Sequence, residues 1–149
     1  MRVQLPDINV LIALHDVAHP HSEAALKWLH EGGKNAWATC PLTENGFVRI
    51  YTQTIFQQQA NGVFESFFLL DETKQTYQST HHFWNDSISL SDTGIFTPSK
   101  IVGHKQITDV YLLGLCQKNG GTLVTFDMRI TTNAIVSPHS ELLYVVPVP

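Results

Sequence analysis

Residues 107–127 read ITDVYLLGLCQKNGGTLVTFD. From Asp109, positions i+3, i+4 and i+7 are Leu112, Leu113 and Cys116, one face of a helix. Thr108 is placed to cap that helix and Gly120-Gly121 to close it. The run TLVTFD that follows is short, apolar and β-branched, the pattern of a buried strand, and Asp127 ends it. A helix turning directly into a buried strand is the repeating unit of a parallel α/β sheet.

The same alternation extends in both directions. A strand around residues 3–5 ends at Asp7 and a helix over 8–14 follows. His19-Pro20-His21-Ser22 interrupts the chain, with Ser22 expected to cap EAALKWLHE, which stops at Gly32-Gly33. AWATC reads as a strand buried on both faces, and PLTENGFVRIYTQ as a helix with Pro41 and Thr43 near its start. NGVFESFFLLDETKQTYQ holds one or two helices, SISLSD (87–92) alternates like a short strand, and TGIFTPSK reads as a loop. A short helical stretch after Asp127 leads to a last strand, LLYVV. Strands alternating with helices predict a three-layer α/β/α sandwich around a central, mostly parallel sheet, in a single domain over 1–149.

Three acids occupy positions where an amphipathic helix ordinarily carries an apolar residue. Asp7 is followed at i+3, i+4 and i+7 by Val10, Leu11 and Leu14; Glu44 by Phe47, Val48 and Tyr51; Asp109 as above. At a 43% apolar share, an acid meets this template by chance about 8% of the time. Among 13 acids about one match is expected. A fourth match, Glu141, lies in ELLYVVPVP, where Pro147 and the β-branched residues argue against a helix. A carboxylate facing the interior needs a cation or donors. Asp7 and Asp127 fall at the carboxyl ends of strands, Glu44 and Asp109 in first turns of helices, and in open α/β sheets such positions meet at one edge. Four acids converging there predict a divalent-metal pocket.

The N-terminus, MRVQLPD, has no hydrophobic signal region and no apolar run approaches membrane-spanning length. Cys40 and Cys116 at unrelated spacing predict two buried thiols in a reducing cytoplasm, with a disulfide as the minor reading. The net charge of −4 does not advertise nucleic-acid binding, though acids neutralised by metal and local basic residues leave room for it.

DINVLIAL at Asp7, PLTENGFVRI around Glu44, HHFWNDSISL at 81–90, GHKQITDVYLLGL around Asp109 and TLVTFDMRI around Asp127 together resemble PIN-domain ribonucleases, and most closely VapC-type toxins of bacterial toxin–antitoxin pairs. The resemblance runs in order over essentially the whole chain. It implies Mg²⁺- or Mn²⁺-dependent endoribonuclease cleavage of single-stranded or looped RNA, with Asp7, Glu44, Asp109 and Asp127 as metal ligands. It further implies a cognate antitoxin, a homodimer, and contact with operator DNA only through the antitoxin. An all-oxygen carboxylate set suits such hard cations. The alternative is a catalytically inactive PIN-like module that binds RNA or protein.

Around the acids, Asn9 is a candidate contact to metal-bound water and Thr125 a candidate orienting group. Arg49, Lys100, His104, Lys105 and Arg129 bracket the later acids. Arg49, Lys105 and Arg129 are candidate phosphate holders, although each singly reads as a solvated group. His15, His19, His21, His81 and His82 fit no zinc spacing and read as surface or capping residues. Phe64, Phe67 and Phe68 read as core or, if exposed, as an apolar groove for a partner helix.

Overall fold

The computed structural model describes residues 2–57 and 59–149. Five short strands form one sheet: β1 (Gln4–Pro6), β2 (Trp37–Thr39), β3 (His81–Phe83), β4 (Thr122–Thr125) and β5 (Leu143–Val145). Their spatial order is β3-β2-β1-β4-β5, and every neighbouring pair is parallel. Gln4 sits opposite both Trp37 and Thr122, so β1 is the central strand that sets the register.

Among the described residues the α-helices are α1 (Ile8–His15), α2 (Ser22–Glu31), α3 (Pro41–Tyr51), α4 (Gly62–Thr76) and α5 (Ile107–Asn119). Side chains of successive strand residues point to opposite faces, and the two cores divide accordingly. Leu5, Ala38 and Leu123 meet Val110, Leu113 and Cys116 of α5. Trp37 and Val124 meet Val10 and Leu11 of α1, Trp28 and Leu29 of α2, and Phe47 and Tyr51 of α3. Layers on both sides of a parallel sheet give the α/β/α sandwich expected from the alternation of elements. β2 and β4 are buried throughout, their threonines included.

Several local expectations are corrected. Thr108 lies inside the first turn of α5, because a 3₁₀ turn (His104–Gln106) leads into the helix and Gln106 takes the cap position without a side-chain bond. Ser22 is likewise the first residue of α2, with His21 at the cap. Residues 87–92 form no strand; the Ser89 and Ser91 hydroxyls bond each other at 2.7 Å and Ser89 Oγ accepts the Ser91 N–H, closing a turn. The paired strand is β3, upstream. Residues 128–142 contain no helix but side-chain-supported turns, one of them closed by Asp127 accepting the Arg129 N–H at 2.9 Å.

The segment 61–78 contains a single long helix, α4, and its phenylalanines do not enter the core. Phe64, Phe67 and Phe68 are all more than half exposed. The inner face of α4 is built from Gly62 and Ser66, whose hydroxyl donates to Gly62 O and accepts from Thr52, with Leu69 and Leu70 beyond.

At Gly114 on α5 an added Cβ would come within 2.5 Å of the Phe96 ring and meet Ile95 as well. Gly114→Val should therefore cost about 1–3 kcal/mol by overpacking. The few tenths of a kcal/mol that valine gains in helix propensity do not offset this. Urea unfolding checks it, and an unchanged midpoint would contradict the close packing of α5 on the 95–96 loop.

Candidate active site

Asp7 follows β1 directly and forms the junction between sheet and helix. Its N–H donates to Val124 O at 2.9 Å, which ties it to β4, and its Oδ1 accepts the Val10 N–H at 2.9 Å, which caps α1. The residue is only 6% exposed. Thr125, fully buried at the end of β4, bonds the Asp7 carboxylate through its hydroxyl, and its Oγ1 also accepts the Asp127 N–H at 3.0 Å. One threonine thus links two of the acids.

Asp109 arrives from the first turn of α5 and shares the field of both others. Burial pushes the Asp7 carboxyl up to about 6, against the hydrogen bonds from Thr125 and Val10, and the charges of Asp109 and Asp127 push the same way as burial. Asp109 is raised first by burial and then by Asp127. Asp127 is held below the usual carboxylate range by Arg129, whose Nε donates to Oδ1 at 3.0 Å and whose Nη2 donates to Oδ2 at 3.1 Å. The structure brings these three acids together from three distant segments.

Glu44 has different company. It sits in the first turn of α3, where Lys74 of α4 donates to Oε2 at 2.8 Å and the Thr39 hydroxyl donates to the same oxygen at 2.6 Å. His81 Nε2 lies 2.8 Å from Thr39 Oγ1. Since that hydroxyl gives its proton to Glu44, it accepts from His81. Burial and the Lys74 charge lower His81 to about 4. Glu44 lines a groove with Val48, Arg49, Phe67, Leu70 and Phe83. Lys100, Lys105 and Arg129 line a separate groove with Asp109 and Asp127. Asn9 is exposed on the first turn of α1, and His104 is exposed before α5.

The histidine expectation is corrected at two positions. His15 is half-buried, bonded through Nδ1 to Leu11 O and through Nε2 to Thr73; half-buried His81 packs on Trp37. No motif marks Lys74, and the 81–90 motif does not disclose the bond that His81 makes, because both contacts run between segments remote in sequence. Thr39 carries the one available signal, shared with Thr125: a polar residue ending a buried strand.

Among the described residues no group of three or more His, Cys, Asp or Glu side chains is arranged to hold a metal ion. The donor chemistry nonetheless fits a hard divalent cation, since Asp7 and Asp109 are carboxylates under mutual repulsion at one edge. Recruiting Asp127 requires the Arg129 fork to release it, and recruiting Glu44 requires the same of Lys74.

A parallel 3-2-1-4-5 sheet with aspartates at the ends of its central strands is the architecture of a PIN domain. The family model for that domain matches residues 5–135, and the chain belongs to the PIN-domain family. It is similar to several Mycobacterium tuberculosis proteins. It is 36% identical to Ribonuclease VapC44 over 88% of this chain and 90% of that one. It is 36% identical to Ribonuclease VapC38 over 93% and 94%, and 32% identical to Ribonuclease VapC29 over 96% of each.

The raised Asp7 carboxyl has a consequence for stability. The folded chain keeps this proton up to about pH 6, whereas an ordinary aspartate releases it near 3.8. The folded state therefore binds more protons between those values, and stability falls as pH rises through that window. Above it the loss is complete, on the order of 3 kcal/mol. Asparagine caps nearly as well as aspartate. In EDTA, Asp7→Asn should thus exceed wild type in stability at about pH 7 and lose the advantage toward about pH 4. Denaturant titrations across pH measure this; a pH-independent difference would contradict it.

Proposed function

We propose that the chain is a Mg²⁺- or Mn²⁺-dependent endoribonuclease that cleaves single-stranded or looped RNA and acts as the toxin of a toxin–antitoxin pair. The observation that carries the reading is the buried Asp7 carboxylate, held at the end of the central strand in the field of Asp109 and Asp127. An acid kept there against desolvation and repulsion implies a cationic ligand that offsets the cost.

In this reading Asp7, Asp109 and Asp127 hold the cation, and Glu44 completes the acidic set from α3. When bound, the cation activates the attacking water and offsets charge developing at phosphorus. Val10 N–H and the Thr125 hydroxyl orient the Asp7 carboxylate, and Asn9 reaches the solvent side of the same turn. Lys105 and Arg129, with Lys100 beside them, hold RNA phosphates that the acids would otherwise repel; Arg49 does so from the Glu44 groove. Two short grooves with few cations suit an unpaired strand better than a duplex track.

The restraint on such an enzyme is a cognate antitoxin. The exposed phenylalanines of α4 offer an apolar strip, and Phe67 continues it into the Glu44 groove. A basic side chain entering there would compete with Lys74 for the carboxylate. The toxin works as a homodimer in the cytoplasm, where Cys40 and Cys116 stay free thiols, and meets operator DNA only through its antitoxin. Among the described residues no helix is long and apolar enough to cross a membrane.

Asp7→Asn, Glu44→Gln, Asp109→Asn and Asp127→Asn should each lower Mn²⁺-dependent RNA cleavage by at least about 100-fold, with circular dichroism unchanged. EDTA should abolish wild-type cleavage, and millimolar Mn²⁺ should raise its Tm. Near wild-type cleavage by two of the four variants would refute the four-acid site. Absence of any cleavage by the wild type would favour the inactive binding module.

Lys105→Ala and Arg129→Ala should weaken RNA binding with a log–log salt slope reduced by about 1 each. Filter binding across salt concentrations measures this. An unchanged slope would remove both residues from the phosphate track.

A further inference from the structure

The carboxyl edge of the sheet carries a second surface, made of rings rather than charges. His19 and His21 lie in the loop between α1 and α2; Phe126 follows β4, one residue before Asp127. The His21 and Phe126 ring centroids are 4.9 Å apart, tilted by 46°. His19 lies 6.3 Å from Phe126 at 25°, close to parallel, and 5.7 Å from His21. All three residues are half-buried. These separations fall within the range of favourable aromatic pairs.

Two hydrogen-bonding facts define the cluster further. The His21 N–H donates to His19 Nδ1 at 2.9 Å, so the neutral His19 ring carries its proton on Nε2. Among the described residues, His21 Nδ1 is buried without a hydrogen-bond partner. Tilted ring contact with Phe126, rather than a bond at that atom, orients its ring. The same two loops expose Val17 at 94% and Met128 at 84%. Packing accounts for the inner side of Phe126, which rests on the α1–α2 core. It does not account for two imidazoles gathered on one phenyl ring and two bare apolar side chains on one edge.

We propose that His19, His21 and Phe126 form a stacking platform for one unpaired base of the RNA, beside the phosphate presented to Asp7, Asp109 and Asp127. The proposal rests on the ribonuclease reading and names how the substrate strand is held. Phe126 and Asp127 are consecutive, so their Cα atoms lie about 3.8 Å apart. Arg129, two residues further on, supplies a cation for the adjoining backbone. Every base has a π-face, and only an unpaired base can offer it to a side chain, whereas a paired one keeps it in the stack. His19 Nε2–H adds a fixed donor for a base edge.

The test uses the full chain and unpaired RNA of about 12 nucleotides, with a single 2-aminopurine moved along the strand, titrated in EDTA. One position should lose fluorescence on binding, and an abasic nucleotide there should weaken binding about tenfold. Phe126→Leu should show the same loss without quenching, and the abasic strand should cost this variant nothing more; Phe126→Tyr should restore both signals. Because Phe126 also packs inward, His19→Ala is the companion variant and should reduce both affinity and quenching. Mn²⁺-dependent cleavage without quenching at any position overturns the platform and leaves the ribonuclease reading standing. No binding and no cleavage removes both. Unchanged RNA affinity in His19→Ala, with a protein complex or dimer lost instead, assigns the rings to a protein surface and overturns the proposal.

Discussion

The desolvated carboxylate of Asp7 couples the folding of this chain to its chemistry. Its N–H closes the β1–β4 ladder, its Oδ1 starts α1, and its remaining bond is to Thr125 on the neighbouring strand. Sheet, helix and site therefore share one residue. Burial is the largest cause of the rise in its pKa, and two further acids add to the cost. A domain of this size has a net stability of only about 5–15 kcal/mol. A residue that withholds about 3 kcal/mol at neutral pH is a large concession to function.

The two acids flanked by cations behave differently. Asp127 and Glu44 are each neutralised by a side chain from nearby or from another element, Arg129 and Lys74 respectively. The Arg129 pair is largely exposed and so contributes little to stability. The Lys74 pair is mostly shielded, with the ammonium also 5.2 Å from the Phe83 ring, and it fastens α4 to α3 beneath the exposed phenylalanines. Whatever covers that strip of α4 therefore acts on the helix that carries the cation of Glu44.

Much of the architecture was legible from periodicity. Buried runs at 37–39 and 122–125 and helical stripes following Asp7, Glu44 and Asp109 became central strands and core-facing helices because burial on both sheet faces demands those patterns. Boundaries and the middle of the chain were less legible. Serine hydroxyls diverted 87–92 from a ladder into a turn. The spacing of Phe64, Phe67 and Phe68 identified a helical face correctly, but periodicity cannot say whether an apolar face meets the core or solvent.

By itself the sequence determined which acids end strands and which open helices, since those positions follow from local pattern and strand order. It likewise determined that Thr125 precedes Asp127 at the point where a hydroxyl can reach a neighbour. Only the tertiary structure decided the partners: Lys74 bonded directly to Glu44, His81 reaching it through Thr39, and two imidazoles on Phe126. These contacts join residues 30 and more positions apart. Electrostatic and stacking energies depend on distances set by helix packing on the sheet, and that packing has no local signature.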